Sequence, residues 1–200
     1  ENIVGRSRGF WTHWLPRLKG YFPRQLEGIG VEAFYQAINK VKPSLIRVEA
    51  DEVTYNLHIM LRFEIENLMV EGKVQVADLP ELWDAKMEEY LGIRPPDVAD
   101  GVLQDVHWSS GYIGYFPTYS LGNLLAAQFY NQAVGEKPEI PSEIEQGEFG
   151  TLFTWMREKI HKPGGAYMPA ELVERVTGGP IRTEPFLDYV RAKYTEIYGL

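Results

Sequence analysis

The longest helical pattern of the sequence lies in residues 43–71, which read PSLIRVEADEVTYNLHIMLRFEIENLMVE. Proline is favoured at the first position of a helix and glycine just after the last, so Pro43 and Gly72 predict its two ends. Apolar residues occupy much of the circumference: Leu45, Ile46, Val53, Leu57, Met60, Leu61, Phe63, Ile65 and Leu68. The segment therefore predicts a long, largely buried helix.

Further helical patterns lie on both sides of this segment, separated by turns that contain proline and glycine. One covers residues 31–41, and the others cover about 78–91, 117–135, 147–161, 168–177 and 184–198. The segment near 101–116 is rich in glycine and aromatic residues and is predicted to be irregular or strand-like. The fold class predicted is therefore all-α. No linker is long enough to divide the chain, so residues 1–200 are expected to form a single helical unit.

Composition and charge exclude several classes of protein. A net charge of −8 argues against broad, sequence-independent binding of nucleic acids, which relies on clusters of lysine and arginine. The absence of cysteine excludes disulfide scaffolds, thiolate metal sites and cysteine nucleophiles, and it fits the reducing cytoplasm, which is the location expected. No apolar run approaches the roughly 20 residues that span a bilayer, so no membrane association is expected.

A polar stripe runs along the predicted helix at 43–71. Its members are Arg47, Asp51, Tyr55, His58 and Arg62, at offsets of 4, 8, 11 and 15 residues from the first. At about 100° per residue they share one face about 80° wide. Buried charges are paired or line a wet cavity, so two interpretations stand. The stripe is either an internal ladder of ion pairs, or the wall of a pocket in which Arg47, held by Asp51, receives an anion.

The segment at 101–119 supplies the other candidate residues. If residues 104–107 are extended, Asp105 and His107 project to the same side and could act as an orienting carboxylate and a proton-handling imidazole. A hydrogen-bonded buried histidine fits the same pattern. Tyr115 and Tyr119 follow in a run where glycines alternate with aromatic residues. That run either approaches a ligand closely or forms a packed aromatic loop.

Known catalytic signatures for nucleophiles, phosphate loops and dinucleotide binding are absent, as is any His-x-x-x-His pair. The four histidines are scattered along the chain: His13, His58, His107 and His161. No metal-binding residues are therefore predicted in these 200 residues.

Two longer motifs carry a resemblance to a known family. Residues 46–51 read IRVEAD and fit the pattern IRxxAD, and residues 101–108 read GVLQDVHW and fit GxxQDxHW. With both motifs in this order, the sequence resembles the Taq-type thermostable metallocarboxypeptidases, which are HExxH zinc enzymes. The resemblance covers essentially all 200 residues and includes the runs 5–7, 115–119 and 185–189.

The resemblance implies a role for each candidate residue. Arg47 would bind the α-carboxylate at the C-terminus of a peptide, and Asp51 would hold Arg47 in place. His107 and either Tyr119 or Tyr115 would donate toward the substrate or the developing oxyanion. Their positions in the second motif make Gln104 and Asp105 further candidates for substrate binding. Members of this family are usually homodimers.

The resemblance also implies a missing part. Family members have roughly 500 residues, and the zinc ligands lie in an HExxH helix and an HES motif that this sequence does not contain. The chain is therefore expected to be the C-terminal fragment of a zinc carboxypeptidase, starting just after the last metal ligand and inactive by itself. The alternatives are a non-catalytic module that binds peptide C-termini and a purely structural helical module.

Overall fold

The computed structural model describes residues 2–200, and within this range it contains ten α-helices and no β-strand. They are α1 (Asn2–Gly5), α2 (Arg8–Tyr21), α3 (Val31–Ile38), α4 (Tyr55–Val70), α5 (Leu79–Leu91), α6 (Pro117–Glu136), α7 (Ile140–Glu145), α8 (Gly150–Met156), α9 (Pro169–Thr177) and α10 (Glu184–Tyr198). The all-α prediction is confirmed. No helix in this range combines the length and the apolarity that crossing a bilayer needs.

The helices group into two compact units. One contains residues 40–122 and the other contains residues 1–39 together with 123–200, so the boundary falls within α6. Both units are helical. That all 200 residues form a single part of one larger catalytic domain stays a prediction.

The unit formed by residues 40–122 has a core between α4 and α5. Leu61 and Ile65 of α4 meet Trp83 and Met87 of α5, and all four side chains are nearly inaccessible to solvent. Helix α5 ends at Gly92, whose φ of 67° is the left-handed conformation that glycine adopts without strain. This core fixes α4, and α4 carries Tyr55, His58 and Arg62 into the site described below.

The other unit has a core of its own, built from α6, α7, α8 and α9. Its buried members are Ala133, Ile140, Ile144, Trp155 and Val176. Helix α7 was not predicted from the sequence. The helix predicted at 147–161 is present as α8 followed by one π-helical turn, Arg157–His161. Helices α9 and α10 match the predicted ranges.

The helix predicted from Pro43 is wrong at its N-terminal end. Residues 43–54 contain only a single 3₁₀ turn, Arg47–Glu49, and the α-helix begins at Tyr55. The side chain of Asp51 explains the late start, because its Oδ1 accepts the N–H groups of Val53 and Thr54, both at 2.9 Å. A short carboxylate that captures nearby backbone N–H groups competes with helix formation and favours a turn. Arg47 and Asp51 therefore do not lie on the helix that bears His58 and Arg62.

The segment at 101–116 consists of turns and one 3₁₀ turn, Trp108–Ser110. The expectation of irregular structure is confirmed, whereas the extended conformation considered for residues 104–107 does not include His107. His107 has φ −58° and ψ −55°, which are helical values. Asp105 and His107 nevertheless approach each other, with His107 Nδ1 3.5 Å from Asp105 Oδ1.

Candidate functional site

The carboxylate of Asp105 joins two arginines within the unit formed by residues 40–122. Arg47 donates from Nε to Oδ2 at 3.1 Å and from Nη2 to Oδ1 at 2.8 Å, which is a bidentate pair. Arg62 donates from Nε to Oδ2 at 2.7 Å. The exposed fraction of the side chain is 6% for Arg47, 0% for Arg62 and 11% for Asp105. Charge-assisted hydrogen bonds shielded from water in this way are stronger than neutral ones.

Arg62 is held on several sides. Its Nη1 donates to the backbone oxygen of His58 at 2.8 Å, and its guanidinium lies 4.5 Å from the ring centre of Trp83 and 5.5 Å from that of Phe116. Its Nη2 is 2.7 Å from Asp105 Oδ2 but is not aligned for a hydrogen bond, so it contributes attraction between charges only. Arg62 is therefore a fixed point of the site.

Arg47 keeps hydrogen-bonding capacity beyond these contacts. Its Nη1 donates to the hydroxyl of Tyr55 at 2.7 Å, and the ring centre of Tyr119 is 4.8 Å from its guanidinium carbon. A guanidinium has five N–H groups, and the bonds to Asp105 and Tyr55 use three of them. One N–H on each of Nη1 and Nη2 is therefore left to donate to a further acceptor.

His107 and Tyr119 form the second part of the site. His107 Nε2 is 3.0 Å from the hydroxyl oxygen of Tyr119, and its Nδ1 is 3.5 Å from Asp105 Oδ1. The second distance is too long for a strong hydrogen bond. The Tyr115 ring lies 5.7 Å from the His107 ring and is 46% exposed. Of the two candidate tyrosines, Tyr119 is therefore the one that bonds to the histidine.

Burial and charge set the protonation of these groups. Burial opposes the ionisation of Asp105, but the two guanidiniums outweigh it and lower its pKa. Burial also opposes the charge of Arg47, and Asp105 reverses this effect and raises the Arg47 pKa. Burial lowers the pKa of Arg62 to about 10, because Asp105 offsets only part of the cost. At pH 7 the carboxylate and both guanidiniums are charged.

Both histidines of this unit are neutral at pH 7. Burial, with the guanidiniums of Arg62 and Arg47, lowers the pKa of His58 to about 4. Burial also lowers the pKa of His107, although the Asp105 carboxylate opposes the effect. Burial raises the pKa of Tyr119, so its hydroxyl keeps its proton. A proton on His107 Nδ1, the nitrogen that faces Asp105, makes Nε2 the acceptor of the Tyr119 hydroxyl.

Two of the predicted site residues have other contacts. Asp51 does not hold Arg47 as expected, because its Oδ2 accepts from the backbone N–H of Lys42 at 3.0 Å and from Thr54 Oγ1 at 2.9 Å. Asp105 takes that place. Gln104 Nε2 donates to the backbone oxygen of Leu45 at 2.8 Å, so its amide connects the two motif segments. Substrate binding by Asp51 and Gln104 stays a prediction, and their contacts support the backbone that presents Arg47 and Asp105.

A buried carboxylate fixes the aromatic segment that precedes α6. Glu66, one turn beyond Arg62 on α4, accepts the backbone N–H of Gly114 and is only 4% exposed. Gly114 has φ 79°, a left-handed conformation that other residues adopt at a cost. Phe116 follows this turn by two residues, and the centre of its ring lies 4.3 Å from that of the His107 ring. The glycines of this segment thus place an aromatic wall against the site.

Residues 1–194 match the family described as Carboxypeptidase Taq (M32) metallopeptidase. The chain belongs to this family. It is 49% identical over 199 residues to Thermostable carboxypeptidase 1 of Thermus thermophilus, where the match covers all of this chain and 39% of that protein. It is 42% identical over its full length to Carboxypeptidase 1 of Bacillus subtilis, of which it covers 40%. The chain thus spans about two fifths of the length of these relatives.

Solved structures give the same result. The crystal structure of an M32 carboxypeptidase from Deinococcus radiodurans R1 superposes with a TM-score of 0.96 at 46% identity, over all of this chain and 40% of that chain. A structure of the Pyrococcus furiosus carboxypeptidase superposes with a TM-score of 0.93 at 44% identity, over 97% of this chain and 39% of that one. The helical fold of residues 2–200 is therefore the fold of the corresponding part of M32 carboxypeptidases.

The residues present do not form the metal site that a metallopeptidase needs. Within residues 2–200, no three side chains of histidine, aspartate or glutamate lie together in a way that could hold a metal ion. His58 and His107 both belong to the site. The guanidiniums of Arg62 and Arg47 act on His58, and His107 Nδ1 lies 3.5 Å from the Asp105 carboxylate, which is already bound to both arginines.

The sequence motifs left one member of the site unassigned. Arg62 lies outside both IRxxAD and GxxQDxHW, yet it shares the Asp105 carboxylate with Arg47. The signal that could have identified it is the polar stripe, in which Arg62 follows His58 by one helical turn. The spacing suggested a contact between these two neighbours, which the structure contains, and the structure adds a bond from Arg62 to a residue 43 positions later in the chain.

Proposed function

We propose that this chain is the substrate-binding part of a zinc metallocarboxypeptidase that releases C-terminal amino acids from peptides. Membership of the M32 family and the names of its relatives support the activity. The substrate-binding role of these 200 residues is inferred from the guanidinium of Arg47. It is fixed by Asp105 and Tyr55, and one N–H on each Nη remains for a ligand.

A carboxypeptidase must distinguish the free α-carboxylate of a chain end from a peptide bond. A guanidinium fork suits this task because it gives two parallel charge-assisted hydrogen bonds to a carboxylate and only one to a carbonyl oxygen. Its orientation is fixed in advance, so little conformational entropy is lost on binding. We assign the recognition of the peptide C-terminus to Arg47.

His107 and Tyr119 are proposed to act on the reacting end of the substrate. In the pair that they form, one group donates and the other accepts, and both are neutral near pH 7. The Tyr119 hydroxyl, which is bonded to His107 Nε2 in the free site, would turn to the carbonyl oxygen of a bound substrate, where a neutral donor can stabilise developing negative charge. Tyr115 is more exposed and is proposed to line the entrance to the same site.

The metal is proposed to be zinc, held by residues that lie outside this sequence. When bound, it would supply the activated water for hydrolysis. Because residues 2–200 do not provide a metal site, we expect these 200 residues to be inactive by themselves. The whole enzyme is proposed to act in the cytoplasm as a homodimer on peptide C-termini.

The test is Arg47→Lys in the whole enzyme, assayed on an N-blocked peptide with a free C-terminal carboxylate and on the same peptide as its C-terminal amide. Lysine keeps the charge but loses the fork, so kcat/KM for the free acid should fall about 10- to 100-fold, as expected for lost charge-assisted bonds. The amide should change much less. Arg191→Lys is the matched control, because Arg191 is an exposed arginine paired with exposed Asp188.

Other results would favour one of the two alternatives. If the whole protein binds peptide C-termini through Arg47 but releases no amino acid in the presence of zinc, it is a non-catalytic binding module. If Arg47→Lys lowers stability and leaves both binding and kcat/KM unchanged, the arginine cluster is structural and the proposed recognition is wrong.

A further inference from the structure

Arg62 is the most deeply buried charged group of the site, and neither sequence motif includes it. We infer that Arg62 is a positioning residue for substrate binding: through Asp105 it fixes the Arg47 fork, and its positive charge offsets the negative charge of the Asp105 carboxylate. This inference rests on the proposed function of Arg47.

Arg62 and Arg47 share one carboxylate. Asp105 Oδ2 accepts from Arg62 Nε at 2.7 Å and from Arg47 Nε at 3.1 Å, so one oxygen atom links the two guanidiniums. Without Arg62, the Asp105 carboxylate could rotate about its own bonds together with Arg47. With Arg62 in place, Oδ2 is fixed to α4, and Oδ1 is left to set the direction of Arg47 Nη2 at 2.8 Å.

Arg62 is itself held in place by α4 and α5. Helix α4 is fixed by the core that it forms with α5, and Arg62 donates back to the oxygen of His58 on the same helix. Trp83 of α5 lies against its guanidinium at 4.5 Å. The fork of Arg47 is thus connected to the core of this unit through two ionic contacts, although Arg47 precedes the helix.

Arg62 also changes the charge of the site. Asp105 paired with Arg47 alone would be neutral, and an incoming carboxylate would meet no net attraction. The second guanidinium gives the group of Arg47, Arg62 and Asp105 a formal charge of +1. The nearby carboxylates of Glu66 and Asp51 are bonded to backbone N–H groups and not to either guanidinium. His58 is neutral at pH 7 because its pKa is about 4. In a site shielded from water, such a charge attracts an anion more strongly than in solution.

The experiment measures binding as well as turnover, in the whole enzyme. Calorimetry gives Kd for N-acetylphenylalanine, which has a free carboxylate, and for its amide, and kinetics give kcat and KM on the matching peptides. We expect Arg62→Met to raise Kd and KM for the acids by about tenfold or more. The reason is that losing the correct direction of one charge-assisted hydrogen bond changes a dissociation constant by about a factor of ten or more. The Kd of the amide should change by less than about twofold, because the amide has no carboxylate for the Arg47 fork to bind and its other contacts contribute little.

A second variant and a matched control address folding. Arg62→Lys keeps the charge without the fork, and we expect an effect between those of wild type and Arg62→Met. Arg8→Met is the control, because Arg8 also pairs with two carboxylates, Glu32 and Glu196, and also lies 4.5 Å from an aromatic ring centre. This control should leave the preference for the acid unchanged. Binding stoichiometry measures the folded fraction separately from Kd.

The outcomes separate this inference from the proposed function. A purely structural Arg62 would lower the fraction of competent molecules and leave their Kd and acid preference at wild-type values, which would overturn the inference. In an Arg47→Ala background, Arg62→Met should cause a smaller loss of acid binding than it does in the wild-type background, because only its charge and not its positioning of the fork remains to be lost, and fully additive losses would overturn the inference. If Arg47→Ala alone leaves acid binding unchanged, it is the proposed function of Arg47 that fails.

Discussion

Replacing Asp105 with asparagine should destabilise the protein strongly, because it removes the only carboxylate hydrogen-bonded to both Arg47 and Arg62 in residues 2–200. Asparagine has nearly the same shape but places an NH₂ group where one oxygen accepted hydrogen bonds. Oδ1 accepts from Arg47 and Oδ2 accepts from both arginines. In either orientation of the amide, a donor therefore faces a guanidinium N–H.

The size of the effect follows from burial. Removing one partner of a buried ion pair costs about 3–5 kcal/mol, because the remaining charge is left without compensation. Two guanidiniums remain here, and the side chains involved are between 0% and 11% exposed, so screening by solvent reduces the cost little. For a chain of this size, that cost corresponds to a fall of about 6–20 °C in the melting temperature.

The assay is urea and thermal unfolding of Asp105→Asn, followed by circular dichroism at 222 nm and by tryptophan fluorescence. Asp188→Asn is the matched control, since Asp188 and Arg191 form an exposed pair at 3.3 Å that should contribute about 0.5 kcal/mol or less. If Asp105→Asn loses less than about 1 kcal/mol, the cluster does not depend on this charge. The account of Asp105 as the centre of the site would then be wrong.

Two further predictions concern single groups. Burial lowers the pKa of His58 to about 4 in the folded state, so the unfolded chain binds the extra proton first. Stability should therefore fall by up to about 3 kcal/mol between pH 6.5 and pH 4, and His58→Gln should flatten this slope in urea titrations at several pH values. Gly147 has φ 78°, and a Cβ there would lie 2.5 Å from His13 Nε2. Gly147→Ala should therefore lower the free energy of unfolding by about 1–2 kcal/mol. Gly122→Ala, inside α6 and with open space around it, should raise the free energy of unfolding by up to about 1 kcal/mol. Equal effects of the two substitutions in urea unfolding would contradict this prediction.

The sequence identified most of the site but not its connections. The motifs at 46–51 and 101–108 placed Arg47, Asp105 and His107 among the candidates, and the structure brings all three together. Spacing along one helix suggested that Asp51 holds Arg47, and this was wrong because residues 43–54 are not helical. The partner of Arg47 comes from 58 residues further along the chain, a separation that no local periodicity can reveal.

The sequence by itself determined the helical class, most helix ranges and the family, because hydrophobic periodicity, glycine and proline positions and ungapped motifs are local properties. Tertiary structure decided which carboxylate meets which arginine, that Tyr119 rather than Tyr115 bonds to His107, and that Arg62 belongs to the site. Those choices depend on how α4 and α5 pack around Trp83 and on the turns between 101 and 116. Burial then decided the charges, because it removes water from groups that would be ordinary ions on a surface.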